Sequence, residues 1–456
     1  MSTQHLVLDN GLPLKKALAR YKKRRQELAK AIGHPIVITG LPHGPNHIKP
    51  WSHLATTLYQ DPILLYLTGI NQTQVAIIID PESGKETLFL PKKDPKKEFW
   101  DGHQLGVGDP KSEKEAQTLT GVESLADIET LIPTILQKKA KKWGLFWHTS
   151  KTKKTLNDHH NQFRKTLKRQ LKKQKKTSEV INIAPTYWPM HLTLDSTDQN
   201  NLKKALSHTR QILKEIKSHT PPFTNEQEIA GYIQGRSLQL SWSGISFAPI
   251  IANGKNACTL HYAANNAPID PNQFLLLDFG VCVQDMHADL SDTFTLSGKQ
   301  SPLQEILYTI VKDTQKEVEH HVKAGVTLNQ LNTLAWDYMN NALKEQILDK
   351  GGSIRTPYDK APHFIGHLLG RQVHDGCPFR SLNDTPLKPN WAITNEPGFY
   401  GEVTLTINKK EYKEQIGIRL EDNLIITEKG SKNITNKTKT TPKPPTQPKK
   451  PPAWAS

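Results

Sequence analysis

The stretch "FLLLDFGVCVQDMHADLSDTF", from Phe274 to Phe294, has two apolar runs joined by a short polar segment, a pattern that predicts a buried β-hairpin. Three carboxylates interrupt this pattern. Asp278 lies in the first run, and Asp289 and Asp292 lie in the second. Because an ionised carboxylate without a partner in apolar surroundings is strongly unfavourable, the fold has to provide each of them with a partner or with water.

A turn at Val283 and Gln284 would place Asp278 directly opposite Asp289, with the two side chains on one face and their Cβ atoms about 5 Å apart. Two facing carboxylates repel each other, and a bound divalent cation removes that repulsion. Taken alone, however, the hairpin is better explained by an ordinary strand with solvent-facing aspartates. A metal site is therefore predicted only if other segments supply further ligands.

Later segments contain such ligands. The Gly-punctuated segment "HFIGHLLGRQVHDG" carries His363, His367 and His374. In "ITNEPGFY" a glutamate precedes Pro-Gly, where a strand must end or turn, and in "IGIRLEDNLIIT" another glutamate lies in a β-like apolar run. Two aspartates, one histidine and two glutamates form a set typical of an oxygen-rich dinuclear metal site. The carboxylates of this set would be Asp278, Asp289, Glu396 and Glu421, with one of the three histidines as the fifth ligand.

The bulk composition narrows the class of protein. The chain has 456 residues, 36% of them hydrophobic, and a mean hydropathy of −0.58, and no apolar run approaches the roughly 18–20 residues of a membrane span. The first residues lack a secretory signal pattern, and the three cysteines, Cys258, Cys282 and Cys377, are not spaced as metal pairs. We therefore predict a cytoplasmic protein with no membrane partner.

The net charge of +16 raises the alternative of nucleic-acid binding. The excess is concentrated in Lys/Arg-rich helical segments and in the C-terminal tail, and no zinc-finger, RNP or helix-turn-helix pattern accompanies it. Solvated helix faces and a flexible tail explain the charge, so we expect no specific nucleic-acid partner.

The chain divides into three parts by pattern. Residues 1–178 predict an α/β domain that begins with an amphipathic helix over residues 12–32 and continues with strands at "PIVITG", "ILLYLTG", "QVAIIID" and "ETLFLP". Residues 185–428 combine long helices with the ligand-bearing strands, which predicts an α+β catalytic domain. Residues 429–456 are rich in Lys, Pro and Thr and predict a disordered tail.

These motifs resemble the metallopeptidases with the pita-bread fold, which include methionine aminopeptidase, prolidase and aminopeptidase P. The resemblance rests on Asp278, a second Asp eleven residues later, His367, Glu396 before Pro-Gly, and Glu421 in "RLED". It implies a catalytic domain with pseudo-twofold symmetry. The segments "LYQDPILLYLTGINQ" and "FWDG" are similar to the N-terminal domain of aminopeptidase P, which extends the resemblance over most of the chain.

The resemblance also implies roles for individual residues. Asp278 would chelate one metal ion, His367 and Glu396 would hold the other, and Asp289 and Glu421 would bridge the two ions. The ions would be Mn²⁺, with Co²⁺, Zn²⁺ or Fe²⁺ as alternatives. "NGKNACTLHYAANN" matches the segment that carries a substrate-side histidine. The implied substrate-binding residues are His261, His363 and His374.

The function implied is an Xaa-Pro aminopeptidase, which hydrolyses the bond between any N-terminal residue and a following proline through a metal-bridging hydroxide. Glu396 would transfer the proton, His261 and His374 would position the substrate, and Arg419 would pair with a ligand carboxylate. A prolidase that cleaves only Xaa-Pro dipeptides and a non-catalytic pita-bread binding module are the alternatives. The expected partners are peptides with proline second and further copies of the chain, as a dimer or tetramer.

One departure from the family pattern lies in the opening hairpin. Where relatives have an arginine in "D-x-T-R-T", this chain has Asp292 in "DLSDTF". We expect this extra negative charge to be harmless if the side chain points away from the metal ligands.

Overall fold

A computed structural model of the chain describes residues 6–42, 60–147, 159–376 and 382–435. Cys377 and most of the predicted tail, residues 436–456, lie outside these ranges. Among the described residues, no helix combines the length and the apolar character needed to cross a membrane.

The N-terminal part is an α/β layer built on one mixed sheet. Its helices are α1 (Leu14–Ile32), α2 (Pro62–Thr68), α3 (Pro95–Asp101), α4 (Pro110–Thr120), α5 (Leu131–Gln137), α6 (His159–Lys173) and α7 (Ala184–Leu192). Its strands are β1 (Ile36–Thr39), β2 (Ala76–Ile79), β3 (Glu86–Leu90), β4 (Ser124–Asp127), β5 (Lys142–Leu145) and β6 (Glu179–Asn182). The strand order is β4-β3-β2-β1-β5-β6, and β2 is antiparallel to both of its neighbours.

Helix α1 confirms the first sequence prediction. It covers Leu14–Ile32 and ends where Gly33 adopts a left-handed conformation with a φ of 69°. Glycine has no Cβ to oppose this conformation, so it closes the last turn of the helix.

The segment "ILLYLTG" is a helix, α2, and the prediction of a strand there is wrong. Asp61 caps the helix with its side chain, Pro62 occupies the first position, and Gly69 ends it with a φ of 72°. Five buried apolar side chains in succession are compatible with a strand or a buried helix, and the capping residues decide between the two.

The C-terminal part repeats one order of elements, a helix pair followed by antiparallel strands. The helices are α8 (Ser196–Lys217), α9 (Glu226–Leu240), α10 (Pro302–His321) and α11 (Leu328–Leu343). The strands after α9 are β7 (Ile250–Asn253), β8 (Leu275–Phe279), β9 (Cys282–Val283), β10 (Met286–His287) and β11 (Leu290–Phe294). Those after α11 are β12 (Ser353–Arg355), β13 (Leu368–Leu369), β14 (Ala392–Asn395), β15 (Gly398–Ile407), β16 (Lys410–Arg419), β17 (Asp422–Ile426) and β18 (Ser431–Asn433).

These strands form sheets ordered β11-β8-β7, β12-β15-β16 and β13-β14-β17-β18, with β9 and β10 as a small hairpin. The repeated order of helices and strands is the one expected of a domain with pseudo-twofold symmetry. A hydrophobic core cluster runs from Ile36 and Ile77 of the N-terminal sheet through Trp188 of α7 to Leu424 of β17. The N-terminal layer therefore packs directly against the part of the chain that carries the predicted ligands.

The predicted hairpin exists, but its predicted register is wrong. The turn falls at Gln284 and Asp285, and the residue directly opposite Asp278 is Ser291 rather than Asp289. Because side chains alternate along a strand, Asp289 still shares the face of Ser291 and therefore lies diagonally across from Asp278. The error changes the pairing but not the side of the sheet on which the two carboxylates meet.

The first residues of the predicted tail are ordered, and for them the prediction of disorder is wrong. Strand β18, Ser431–Asn433, pairs antiparallel with β17. Beyond it, the Thr435 hydroxyl accepts a hydrogen bond from the backbone N–H of Asn423 at 2.7 Å. The boundaries predicted for the domains otherwise stay predictions.

Candidate metal centre

The five predicted ligands lie in the two halves of the C-terminal part, all at or near strand ends. Asp278 is the last residue but one of β8, Asp289 lies between β10 and β11, and His367 directly precedes β13. Glu396 follows β14, and Glu421 lies between β16 and β17. Strand ends place a side chain firmly while leaving it outside the regular ladder, where it can reach a bound group.

Three of these residues approach each other closely. Nε2 of His367 lies 3.3 Å from Oδ2 of Asp289 and 3.4 Å from Oε1 of Glu396. Ligand atoms of Asp289, His367 and Glu421 all lie within 4.8 Å of one another. The structure therefore brings a histidine and several carboxylates together from segments more than 130 residues apart.

The electrostatics of this cluster favour the binding of a cation. Burial, followed by the charges of Asp278 and Glu396, raises the pKa of Asp289 to about 7. Burial and the charge of Asp289 raise the pKa of Glu421 well above its usual value. Although burial alone would lower it, the pKa of His367 rises to about 9 because of its hydrogen bond to Asp289 and the charge of Glu396. A bound cation would therefore stabilise the charged forms of Asp289 and Glu421.

Two carboxylate oxygen atoms of the cluster also favour the binding of a cation. Oδ1 of Asp278 and Oε1 of Glu421 are buried and have no hydrogen-bond partner. Buried polar atoms normally have partners, and divalent cations take carboxylate oxygens as ligands. The donor set of carboxylates and one imidazole therefore fits one or two divalent metal ions.

Arg419 is a buried cation that contacts one of the five predicted ligands. Its side chain is 5% exposed, and its Nη2 lies 2.5 Å from Oδ2 of Asp278. The same guanidinium donates to the hydroxyl oxygens of Ser291 and Tyr400, each at 2.9 Å. Arg419 thus holds Oδ2 of Asp278, while Oδ1 of the same carboxylate has no hydrogen-bond partner.

Sequence reasoning missed several supporting residues. The Ser291 hydroxyl donates to Oε2 of Glu421 at 2.9 Å, and the Thr394 hydroxyl donates to Oε1 of Glu396 at 3.1 Å. The side-chain amide of Asn423 contacts both backbone polar groups of Asp289. Ser291 and Thr394 each lie two residues from a ligand, and this spacing, which places them on the ligand's face of a strand, was the available signal.

The three predicted substrate-side histidines differ in environment. His363 has Nε2 3.1 Å from the Tyr400 hydroxyl and packs edge-on against Trp336, with ring centroids 5.5 Å apart. The His374 ring is 4.2 Å from that of His367, and burial together with the charge of His367 lowers its pKa to about 4. His261 is exposed, and its charge is close enough to influence His374. Among the described residues, none of these three histidines joins the group of donor atoms that lie within 4.8 Å of one another.

Asp292 points away from the cluster. It is opposite Leu277 in the β8–β11 pair, on the other face from Asp278 and Ser291, and its Oδ2 lies 2.6 Å from Nζ of Lys217. The extra carboxylate in the opening stretch has its own partner on the surface and adds no ligand to the site.

Comparison with protein-family models gives two matches. Residues 200–428 match metallopeptidase family M24, and residues 21–144 match the aminopeptidase P N-terminal domain. The first match covers half of the chain and includes all five predicted ligands, and the second covers most of the N-terminal sheet.

Curated relatives are similar over most of their length. The chain is 28% identical over 398 residues to the Xaa-Pro aminopeptidase of Haemophilus influenzae, covering 82% of this chain and 85% of that protein. It is 28% identical over 379 residues to the mitochondrial intermediate cleaving peptidase 55 of Arabidopsis thaliana, covering 83% and 72% of the two chains.

Solved structures show the same fold. Proline aminopeptidase P II from Yersinia pestis superposes with a TM-score of 0.75 at 20% identity, covering 92% of this chain and 96% of that one. The aminopeptidase PepP of Pseudomonas aeruginosa gives 0.75 at 20%, covering 93% and 95%. The predicted fold class, an α/β N-terminal domain followed by a pita-bread catalytic domain, is confirmed.

Proposed function

Because the chain belongs to metallopeptidase family M24 and carries an aminopeptidase P N-terminal domain, we propose that it is an Xaa-Pro aminopeptidase. The enzyme class is that of a metalloaminopeptidase; the proposal adds the substrate, peptides whose second residue is proline. The observation that carries it is the convergence of Asp289, His367 and Glu421 within 4.8 Å inside this fold. Relatives named Xaa-Pro aminopeptidase support the substrate.

The proposal assigns the metal ions to the five carboxylate and imidazole side chains described above. Bound there, two divalent ions, with Mn²⁺ as the first choice, would supply an activated bridging hydroxide as nucleophile and polarise the scissile carbonyl. The side chains proposed to hold them are Asp278, Asp289, His367, Glu396 and Glu421.

Glu396 is the proposed proton carrier. Its Oε1 lies beside Nε2 of His367 at 3.4 Å and accepts a hydrogen bond from Thr394, which fixes the carboxylate in one orientation. A carboxylate held at the edge of the cluster can accept the proton of the attacking water and deliver it to the proline nitrogen, which becomes the leaving amine.

The proposed roles of the histidines follow from their protonation. With a pKa of about 4, His374 is neutral near pH 7, so one ring nitrogen donates a hydrogen bond without adding charge to the site. It can stabilise the oxygen of the tetrahedral intermediate, with His261 nearby at the solvent-exposed edge. His363, between Trp336 and Tyr400, offers an apolar wall for the proline ring.

Substrate length separates this proposal from a prolidase. The purified protein is incubated with Mn²⁺ and either an Xaa-Pro dipeptide or a longer Xaa-Pro-Xaa peptide, and the released amino acid is quantified. We expect release from the longer peptide. Cleavage of the dipeptide alone would identify a prolidase, and no cleavage of either by metal-loaded protein would contradict the proposal.

A matched pair of variants tests the metal ligands. Asp289→Asn keeps the side-chain shape but removes the charge, so we expect kcat to fall at least about 1,000-fold and bound metal to be lost. Asp292→Asn, three residues away on the opposite face, should leave both unchanged. Full activity of the Asp289 variant would remove Asp289 from the proposed ligand set.

The cytoplasmic location and a dimeric or tetrameric state stay predictions. One relative carries the word mitochondrial in its name, so fractionation of cells that express the protein is the direct measurement of location.

A further inference from the structure

A second cluster of metal-type side chains lies outside the catalytic domain. Asp61, directly before α2, faces His159 and His160, the first two residues of α6. Oδ2 of Asp61 lies 3.2 Å from Nε2 of His160 and 3.7 Å from Nε2 of His159. Within the described ranges, only this group and the catalytic group bring three such donors within 4.8 Å of one another.

The distances match those of a metal site. Zn²⁺ binds imidazole nitrogen and carboxylate oxygen at about 2.0–2.2 Å in a tetrahedron, so its ligand atoms are about 3.4 Å apart. The two contacts of Asp61 fall on either side of that value. The carbonyl oxygen of Thr39, at the end of β1, lies 3.2 Å from Nε2 of His159 and accepts its hydrogen bond. An ion at this place would replace that N–H contact and would have the carbonyl oxygen within reach as a further ligand.

The two carboxylate oxygens of Asp61 make different contacts. Its Oδ1 accepts a hydrogen bond from the backbone N–H of Ile63 at 2.9 Å and caps α2, while Oδ2 faces the imidazoles. The side chains of Asp61, His159 and His160 are only 12%, 11% and 6% exposed. The helix cap thus aims a nearly buried carboxylate oxygen at two nearly buried imidazole nitrogens.

The two imidazole rings lie side by side against the carboxylate. Their centroids are 4.0 Å apart, and Nε2 of each ring lies within 3.7 Å of Oδ2 of Asp61, so one ion could contact all three side chains. A single divalent cation neutralises Asp61 and takes a lone pair from each neutral imidazole at once.

We propose that Asp61, His159 and His160 bind a structural Zn²⁺ ion in the N-terminal domain. The ion would join three segments that are distant in sequence, the end of β1, the start of α2 and the start of α6. It is separate from the proposed catalytic ions, because the two groups of donor atoms have no residue in common.

The test starts from a chain that has lost the catalytic carboxylates. Full-length Asp289→Asn/Glu421→Gln protein is stripped with a chelator and titrated with Zn²⁺ by calorimetry. We expect one equivalent to bind, and the melting temperature to rise because a preformed site binds Zn²⁺ more tightly in the folded chain than in the unfolded chain. No binding, with no shift in melting temperature, would overturn the proposal.

Added substitutions then assign the site. Asp61→Asn keeps a good helix cap but removes the carboxylate ligand, so we expect Zn²⁺ affinity to fall at least tenfold and the Zn²⁺-dependent rise in melting temperature to disappear. His320→Gln, an exposed histidine at the end of α10, is the control and should change neither. If the Asp61 variant does not fold, His159→Gln replaces it. Unchanged affinity in the substituted protein would overturn the proposal.

Discussion

Arg419 is the cation that the protein itself places against a proposed metal ligand. Its guanidinium reaches Asp278, Ser291 and Tyr400 from one side-chain position. A lysine ammonium is a point charge that cannot hold a carboxylate and two hydroxyl groups in this fixed geometry. The orientation of Asp278 therefore depends on the shape of the arginine as well as on its charge.

Replacing Arg419 by lysine should weaken metal binding. We expect Mn²⁺ affinity to fall about 10- to 100-fold, the usual effect of removing a residue that orients a ligand. Competition with a chromophoric chelator measures the dissociation constant. Arg355→Lys is the control because that side chain is 85% exposed; equal affinity in wild type and Arg419→Lys would contradict the assignment.

For single residues, the sequence was enough to predict the charged ligands but not the hydroxyl-bearing side chains that orient them. A carboxylate within an apolar run, such as Asp278, is visible without a structure because it breaks a pattern. Ser291, Thr394 and Tyr400 break no pattern, since hydroxyl groups are ordinary in strands. The spacing of Ser291 and Thr394 from a ligand places them on its face of the strand, but the groups that they contact depend on the strand register, which was predicted wrongly.

Among the elements, the β8–β11 pair depends on Gly280. A Cβ at this position would lie well inside van der Waals contact of the carbonyl carbon and oxygen of Ala288, the residue before Asp289. The backbone segments that contain Gly280 and Ala288 can approach this closely only because glycine has no side chain.

Gly280→Ala should therefore displace Asp289 as well as destabilise the fold. We expect a loss of about 2–4 kcal/mol in the free energy of unfolding, measured in urea on metal-free protein, and weaker Mn²⁺ binding. Gly231→Ala is the control, because Gly231 is exposed in α9 with open space around it, and alanine there should be neutral or stabilising. Equal stability of the two variants would contradict the predicted clash.

An ion pair between Glu215 of α8 and Arg236 of α9 joins these two helices. Nε and Nη2 of Arg236 each donate a hydrogen bond of 2.8 Å to one carboxylate oxygen of Glu215. The hydrogen bonds from Arg236, opposed by burial, lower the pKa of Glu215 to about 2. Because the folded-state pKa is below the unfolded value of about 4.3, the pair stabilises above that value and loses its effect as pH falls toward 2.

Glu215→Gln should thus destabilise the protein in a pH-dependent way. We expect a loss of about 1–2 kcal/mol at pH 7 that shrinks below about pH 4. Urea unfolding of both proteins between pH 3 and pH 7 measures the difference. A difference that stays constant over this range would show that charge is not its cause.

Element types were predicted well where the pattern was periodic and poorly where it was not. Helix α1 has a polar face and an apolar face, and the prediction for residues 12–32 agrees with Leu14–Ile32. Helix α2 is buried on all sides, so it has no period. At α2 the capping residues Asp61 and Gly69 indicated a helix, whereas the apolar run between them was equally compatible with a strand.

For the whole molecule, Arg371 connects the two parts of the chain. It lies between His367 and His374, is 1% exposed, and contacts Asp198 at 2.6 Å and Asp285 of the hairpin turn at 3.3 Å. Arg20 and Arg24 of α1 contact the same Asp198. One buried ion network therefore touches the N-terminal layer and both segments that carry the proposed ligands.

Arg371→Met should be strongly destabilising, because it leaves Asp285 buried without a cation. We expect a loss of about 3–5 kcal/mol in urea unfolding. Lys344→Met removes an exposed pair with Asp349 and should cost less than about 1 kcal/mol. A similar small loss in both variants would mean that the network does not hold the two parts together.

The ordered end of the predicted tail limits how this protein can be shortened. A fragment ended at residue 428, the last residue of the family match, would lack β18 and Thr435. It would expose the edge of β17 and remove the hydroxyl that holds Asn423, whose side chain contacts Asp289. A usable expression fragment of the catalytic domain therefore extends at least to residue 435, and affinity tags belong beyond it.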